Sequence, residues 1–185
     1  MRFDFVPFFH PGQNIPWTQT LDYMRQQTQL AEDAGFTTVW VTEHHFAHNG
    51  YLNAPPNPIL VCADLALHSN TIRVGQAPVV LPDWHPLRVA EDIAMLDNMT
   101  DGRVDFGVAR GIPERASIQF NPEADKRDGD KSFRIMRESL DIILKAWTQV
   151  PFSYQGEFYQ FPVPGWKEAN QFLRPFDGRY YAEDG

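Results

Sequence analysis

The stretch RVGQAPVVLPDWHPLRVAEDIAMLDNMTDGRVDFGVARG, residues 73–111, decides the fold. It begins and ends in short valine-rich segments, 72–81 and 103–109, which predict buried strands. Between them Val89, Ile93 and Leu96 recur at helical spacing after Pro86, a residue favoured in a first helical turn. The segment therefore predicts two parallel strands joined by a helix over 86–99.

The same alternation extends in both directions along the chain. RFDFVPF at 2–8 and TTVWVTE at 37–43 predict two earlier strands, and the Ala34-Gly35 pair ends the intervening helix as a glycine cap does. After the fourth strand a helix is indicated by apolar residues on one predicted core-facing stripe: Phe133, Met136, Leu140, Ile143, Leu144 and Trp147. The chain therefore reads as four consecutive β–α units.

Four such units fit two α/β architectures. A small doubly wound sheet calls for a glycine-rich turn of the GxGxxG or GxxxxGK[ST] type after a strand, and the sequence has neither. Polar residues instead follow the strands, which favours the first four β–α units of a (β/α)8 TIM-type barrel, because barrel sites lie at the carboxyl ends of the strands.

The predicted half-barrel is shorter than a barrel fold, which runs to about 250 residues. With 185 residues the chain is expected to be truncated or to be completed by another chain, since half a barrel leaves two strand edges unpaired. A homo-oligomer is therefore predicted. We expect a half-barrel domain over 1–150 and an irregular segment over 151–185, with a hairpin around Gly156 that leads toward a missing second half.

Composition excludes several classes of partner. The net charge of −8 and a pI near 5.1 argue against nucleic acid and anionic membranes, which attract basic proteins. No apolar run reaches the ~18 residues of a membrane span. Cys62 is the single cysteine, so no intrachain disulfide can form, and Asp4 with two early prolines breaks the apolar core of a secretory signal. A cytoplasmic location is expected.

Histidines cluster after the predicted strands. Five of them are predicted to converge on one rim of the sheet: His10, His44, His45, His48 and His85. His44 and His45 are adjacent, so on an extended strand only one of them would face inward, and no HxH or HExxH pair is present. A metal site is therefore not predicted. A role in proton transfer, or in hydrogen bonding to a bound anion or cofactor, fits the pattern better.

Two further features mark the same rim. Pro78 interrupts the third strand, which indicates a plain strand end, a bulge or a cis Ala77–Pro78 bond where a ligand lies against the backbone. Arg110 follows the fourth strand, and Arg134 lies near the start of the last helix. The two arginines are either a phosphate clamp or surface ion-pair partners of the many acidic residues.

The sequence resembles the bacterial luciferase-like family of flavin-dependent monooxygenases. The resemblance is carried by TEHHF at 42–46, by NPIL at 57–60 opening a helix, and above all by the segment 73–111, where VLP, HPLRVAED, LD, DGR and GVARG stand in the family's order and spacing. It extends over residues 1 to about 165.

The resemblance implies a (β/α)8 barrel that holds reduced FMN at the strand ends and uses O2 to oxidise a small organic substrate. By position, His44 matches the family's proton-transfer histidine, and Ala77 and Pro78 match a cis pair against the flavin ring. Ala109 and Arg110 match residues that touch the flavin and its phosphate side, and Arg134 matches a phosphate-binding helix arginine. It also implies that a separate flavin reductase or free FMNH2 supplies the cofactor.

Two other functions remain open at this point. A non-catalytic, self-associating half-barrel would bind flavin weakly or not at all, and a metal-dependent hydrolase would need the histidines as ligands. The sequence identifies no particular substrate.

Overall fold

Four strands form one parallel sheet in the computed structural model, which describes residues 3–7, 15–46, 55–112 and 115–164. They are β1 (Asp4–Phe5), β2 (Thr38–Val41), β3 (Arg73–Val80) and β4 (Val104–Ala109). Five helices accompany them: α1 (Trp17–Asp33), α2 (Pro58–Leu67), α3 (Pro86–Met99), α4 (Arg115–Phe120) and α5 (Gly129–Thr148). The predicted α/β fold with a parallel sheet is confirmed.

Strand order distinguishes the two architectures left open by the sequence. The order is β1-β2-β3-β4, and each strand pairs in parallel with the next one along the chain. A doubly wound sheet reverses its order at a switch point, whereas a barrel winds in one direction. Over the described residues the sheet therefore winds as a barrel sheet does.

The sheet is packed against helices through valines that alternate along its strands. Val39, Val41, Val74 and Val79 are fully buried in one core with residues of four helices, among them Met24, Leu65, Ile93 and Ile143. On the other face a Cβ added at Gly75 would clash with the Trp40 ring, so the indole lies directly over that strand. Glycine at that position is required by this close approach.

Local signals place the helix ends. The Asn57 side chain accepts a hydrogen bond from the backbone N–H of Leu60, and Pro58 and Pro86 occupy first helical positions in α2 and α3. Gly35 has a φ of 81° and ends α1. The predicted helix over 86–99 coincides with α3.

The predicted apolar stripe of the last helix is only partly right. Ile143 is buried, but Phe133 and Leu144 are 46% and 48% exposed. The buried face of α5 is instead centred on Ile135 and Ile142, with two serines, Ser132 and Ser139, included in it. Ser132 is accommodated there because Arg110 donates a hydrogen bond to its hydroxyl oxygen.

The predicted hairpin around Gly156 is confirmed as an antiparallel pair, β5 (Tyr154–Gln155) and β6 (Gln160–Phe161). The carboxylate of Glu138 on α5 accepts hydrogen bonds from the backbone N–H groups of Glu157, Phe158 and Tyr159. The hairpin is thus held against α5. Among the described helices, none has the length and apolarity needed to cross a membrane.

Candidate functional site

A cavity of about 540 Å³ opens at the carboxyl ends of β2, β3 and β4. That volume is within the ~300–1,000 Å³ of ligand and cofactor pockets. Its lining comprises Thr42, Glu43, His44, His45, Ala77, Pro78, Val80, Asp83, Ala109, Arg110, Gly111, Ile112 and Lys126. The parallel sheet brings these residues together because all three strands end at the same edge.

Five of the six site residues predicted from the sequence line this cavity: His44, Ala77, Pro78, Ala109 and Arg110. His44 is positioned by its own backbone, whose N–H donates to the carbonyl oxygen of Pro55 at 3.0 Å. The histidine therefore lies where the chain after β2 meets the segment that leads into α2.

The Ala77–Pro78 peptide bond is cis, and the pairing of β3 with β4 shifts register between Gln76 and Val79. Of the three alternatives for Pro78, the cis bond and the bulge therefore occur together. The proline has no N–H to donate to the ladder, which suits a position where pairing is interrupted. Ala77 and Pro78 present small apolar groups to the cavity.

Arg110 joins the cavity to the start of α5. Its Nη1 donates to Ser132 Oγ at 3.2 Å and to the carbonyl oxygen of Lys126 at 3.4 Å. These two bonds fix the guanidinium beside the first turn of a 20-residue helix, where the helix dipole favours an anion.

Arg134 does not reach this cavity in the structure. Its guanidinium is ion-paired with Asp130 and, at 3.0 Å, with Glu157, and its side chain is 44% exposed. Ser132, which contacts Arg110, is two residues away, and two residues turn a helix by about 200°. Arg134 therefore faces away from Arg110, and the predicted two-arginine clamp is not assembled.

The histidines converge less than the sequence indicated. His44 and His45 both line the cavity, contrary to the expectation that only one would face inward, because β2 already ends at Val41. His85 instead packs edge-on against the rings of Tyr159 and Phe161 on the hairpin, and burial with the nearby Arg88 lowers its pKa. His10 and His48 lie outside the described residues.

Glu43 is a site residue that the sequence analysis missed. Its side chain is fully buried, and three donors meet its carboxylate: the Val80 N–H at 2.9 Å, the Trp84 Nε1–H at 2.9 Å and the His45 Nε2 at 2.7 Å. Glu43 thus ties the end of β2 to the end of β3. Its position within TEHHF is the signal that could have identified it.

A buried ion pair lies next to Glu43. Lys126 Nζ donates to Asp83 Oδ2 at 3.2 Å, and the two side chains are 3% and 2% exposed. Burial raises the pKa of Asp83 and outweighs the opposing effects of Lys126 and of the Ser117 hydroxyl. The residues are 43 positions apart, and no local pattern in the sequence connects them.

Glu43, His45 and Asp83 have potential ligand atoms within 4.8 Å of one another, a spacing that a metal ion could use. The bonding argues otherwise. Each Glu43 oxygen already accepts hydrogen bonds, and the Lys126 ammonium occupies Asp83 Oδ2, where a second cation would be repelled. The prediction against a metal site therefore stands as a prediction.

Comparison with known proteins assigns the chain to a family. The model of the luciferase-like monooxygenase family matches residues 1–178. The chain belongs to this family. The resemblance predicted from the segment 73–111 is confirmed.

Two curated relatives of this luciferase-like chain are named as monooxygenases, and one of the two names specifies a flavin-dependent enzyme. The oxygenase component of flavin-dependent trigonelline monooxygenase from Acinetobacter baylyi is 34% identical over 163 residues, which is 88% of this chain and 43% of the relative. The alkanal monooxygenase alpha chain of the Kryptophanaron alfredi symbiont is 36% identical over 163 residues, with the same coverage of 88% and 43%.

A solved structure shows the same fold. The oxygenating constituent of 3,6-diketocamphane monooxygenase from Pseudomonas putida, solved in complex with FMN, superposes with a TM-score of 0.74 at 27% identity. The match covers 96% of this chain and 48% of that one. The luciferase-like chain thus spans less than half the length of these relatives.

Proposed function

We propose that this chain supplies the FMN site of a monooxygenase that uses reduced FMN and O2 to oxidise a small organic substrate. The observation that carries the proposal is the assembly of His44, the Ala77–Pro78 wall and Arg110 around one cavity at the strand ends. The family supports a flavin-dependent oxygenase, and the residues support a ligand with a flat ring and a phosphate.

The residues present fit such a cofactor. Ala77, Pro78 and Ala109 offer small, mostly apolar surfaces suited to a planar ring, and Pro78, whose ring nitrogen carries no hydrogen, has no backbone N–H to desolvate. Arg110 offers a planar guanidinium, the group best matched to a phosphate. Bound reduced FMN would supply the electrons with which O2 oxidises the substrate.

The chain's own residues would bind, orient and move protons. Arg110, held by Ser132, binds the phosphate and sets the depth of the cofactor in the cavity. The Ala77–Pro78 wall excludes water from one face of the ring. His44 donates or accepts a proton beside it, so that loss of the imidazole should lower the oxidation rate by about 10²–10⁴-fold while leaving FMN binding nearly unchanged.

FMN is preferred here over the related deazaflavin F420. Structures of two F420-dependent enzymes superpose on this chain with TM-scores of 0.59 and 0.65, but at 23% and 17% identity, which indicates a shared fold alone. The FMN complex of the diketocamphane enzyme has both higher identity and a higher TM-score. FMN also ends in the single phosphate that one anchored arginine suits.

We further propose that reduced flavin arrives from a separate reductase or a free FMNH2 pool. The trigonelline relative is named an oxygenase component, which implies a second component in that system. Self-association of the chain also remains a proposal, made on the outer strands β1 and β4, which each pair with one strand among the described residues.

The test is an anaerobic and aerobic titration of the chain with FMN, riboflavin and F420, followed by flavin fluorescence. We expect saturable FMN binding that weakens about 10–100-fold in Arg110→Ala, the loss of one charged hydrogen-bond pair. Riboflavin, which lacks the phosphate, should bind equally to both proteins.

Arg134→Ala is the matched control, since it removes an arginine that faces away from the cavity. Its FMN affinity should equal that of the unmodified chain. The proposal fails if both arginine variants lose FMN equally, or if Arg110→Ala weakens riboflavin as much as FMN.

A further inference from the structure

His45 lines the cavity beside His44 and has no part in the function proposed above. Its Nε2 lies 2.7 Å from Glu43 Oε1, and its side chain is 11% exposed whereas that of Glu43 is fully buried. An imidazole that is held by a buried carboxylate at the edge of a cavity is the arrangement that orients a catalytic base on several unrelated folds. His45 therefore has the surroundings of a proton acceptor.

Glu43 determines which nitrogen of His45 carries the hydrogen. The backbone N–H of Val80 donates to Glu43 Oε2, and the Nε1–H of Trp84 donates to Glu43 Oε1. Both groups can only donate, and such bonds favour the ionised form of a carboxyl group, which can only accept. His45 Nε2 must therefore donate its hydrogen to Glu43, so the lone pair of the neutral imidazole is on Nδ1.

The Nδ1 atom of His45 is accessible. It makes no hydrogen bond within the described part of the chain, and it is not one of the polar side-chain atoms that are buried there without a partner. The open space that His45 lines is the cavity. The lone pair on Nδ1 is therefore available to a ligand in the cavity.

Phe120, at the end of α4, fixes the imidazole from a second side. The two ring centroids are 4.8 Å apart and the ring planes are inclined by 61°, an edge-on contact. Together with the hydrogen bond from Nε2 to Glu43, this contact restricts the orientation of the ring. Nδ1 is thus oriented before any ligand binds, which is what a catalytic group requires.

We propose that His45 is a second proton acceptor of the cavity, acting through Nδ1, and that Glu43 is the positioning residue that holds it in this form. The proton comes from an O–H or N–H group of a small organic substrate, which donates a hydrogen bond of about 2.6–3.2 Å to Nδ1. This use in catalysis rests on the proposed function, whereas the position of the hydrogen on His45 does not.

The proton transfer is balanced by the groups present. The O–H or N–H bond of the substrate breaks, its electron pair stays on the substrate oxygen or nitrogen, and a new N–H bond forms at His45 Nδ1. The ring becomes an imidazolium, which the Glu43 carboxylate stabilises through Nε2. Release of the proton to the product or to water restores the neutral imidazole.

The first experiment is long-range ¹H–¹⁵N NMR of the flavin-free chain with ¹⁵N-labelled histidine at pH 8. We expect His45 to carry its hydrogen on Nε2 and none on Nδ1, with its resonances assigned by their loss in His45→Gln. His68 is the internal control. Its Nδ1 lies 2.7 Å from the backbone carbonyl oxygen of Asp64, which can only accept, so His68 should show the opposite tautomer.

A variant tests the role of Glu43. Glu43→Ala removes the acceptor, so both tautomers of His45 should become populated and the ¹⁵N shifts of Nδ1 and Nε2 should approach each other. Glu91→Ala, which removes an exposed carboxylate paired with Arg88, should leave both shifts unchanged. A hydrogen on His45 Nδ1 in the unmodified chain overturns the proposal, and so do unchanged shifts in Glu43→Ala. The unmodified chain alone decides if Glu43→Ala does not fold.

The second experiment measures whether a reagent reaches Nδ1. Diethyl pyrocarbonate modifies accessible, unprotonated imidazole nitrogens, and mass spectrometry of peptides locates the modified residues. We expect modification of His45 in the native chain, with His68, whose side chain is 46% exposed, as the positive control. Modification of His68 without His45 would show that His45 is purely structural and would overturn the proposal. Both experiments use the flavin-free chain, so their outcomes are independent of whether FMN binds.

Discussion

At the residue scale, one buried carboxylate links the segments that line the cavity. Glu43 receives donors from the end of β3, from the turn after it and from its own loop, so one side chain fixes three segments. The His44 and His45 loop is thereby placed against β3. The position of His44, the histidine proposed for proton transfer, therefore depends on its neighbour Glu43.

Replacing this carboxylate should cost stability. Glu43→Gln places an amide NH2 among three hydrogen-bond donors, so we expect the free energy of unfolding to fall by about 2–4 kcal/mol. Urea denaturation measures it. Glu91→Gln, at a carboxylate that is 67% exposed and paired only with Arg88, should change it by less than about 0.5 kcal/mol. Equal losses in the two variants would show that Glu43 is not the anchor.

Cys62 gives a second test at this scale. Its thiol is fully buried in α2, and burial raises its pKa to about 12, although a contact with Gln76 opposes the shift. The reactive thiolate is therefore scarce near neutral pH. We expect no reaction with a disulfide reagent at pH 8 in the native chain and complete reaction in denaturant. Rapid labelling without denaturant would contradict the packing around α2.

At the scale of elements, close approach between strands requires glycine. A Cβ at Gly107 on β4 would clash with the backbone oxygen of Gln76 on β3. Gly107→Ala should therefore lower the free energy of unfolding by about 1–3 kcal/mol. Gly129→Ala, at the start of α5 where a Cβ meets only Arg110 at 3.7 Å, should be neutral or stabilising by up to about 1 kcal/mol. Thermal denaturation of the two variants checks this. A smaller loss of stability in Gly107→Ala than in Gly129→Ala would contradict this packing.

The end of α1 is linked to the loop before β3 by Glu32. Burial opposes ionisation, but backbone N–H groups of Thr71, Ile72 and Asn70 lower the Glu32 pKa to about 2. A depressed pKa stabilises the fold above the ordinary value of 4.5 and loses that contribution as pH falls toward 2. The free energy of unfolding of the chain should exceed that of Glu32→Gln by about 1 kcal/mol at pH 6, a value reduced for solvent screening. Near pH 2 the two free energies should be equal. A difference independent of pH would contradict this linkage.

The ends of the helices could be predicted from the sequence where the signals that set them are local. Asn57, Pro86 and Gly35 act through the backbone within one turn, and the helix ends came out as predicted. The early end of β2 at Val41 and the buried serines of α5 were not predicted. Both depend on which parts of the chain pack against them.

For the whole molecule, the sheet order explains which site residues were predictable. Residues that directly follow strands, such as His44 and Arg110, converge in any parallel sheet, and the sequence places them there. Asp83 and Lys126 meet across 43 residues through buried side chains, a contact that only tertiary packing creates. The ion pairs of Arg134 with Asp130 and Glu157 were not predictable, because nearness to a helix start does not specify which face of the helix carries the residue.

Hydrogen–deuterium exchange of the chain with and without FMN, at FMN concentrations above its dissociation constant, tests whether this cavity is the flavin site. We predict added protection at 42–46, 77–80 and 109–112, the three segments that end β2, β3 and β4 around the cavity. Protection should be lost in Arg110→Ala and kept in Arg134→Ala. Saturable FMN binding with protection elsewhere, or with none at these three segments, would contradict the assignment of this cavity as the flavin site.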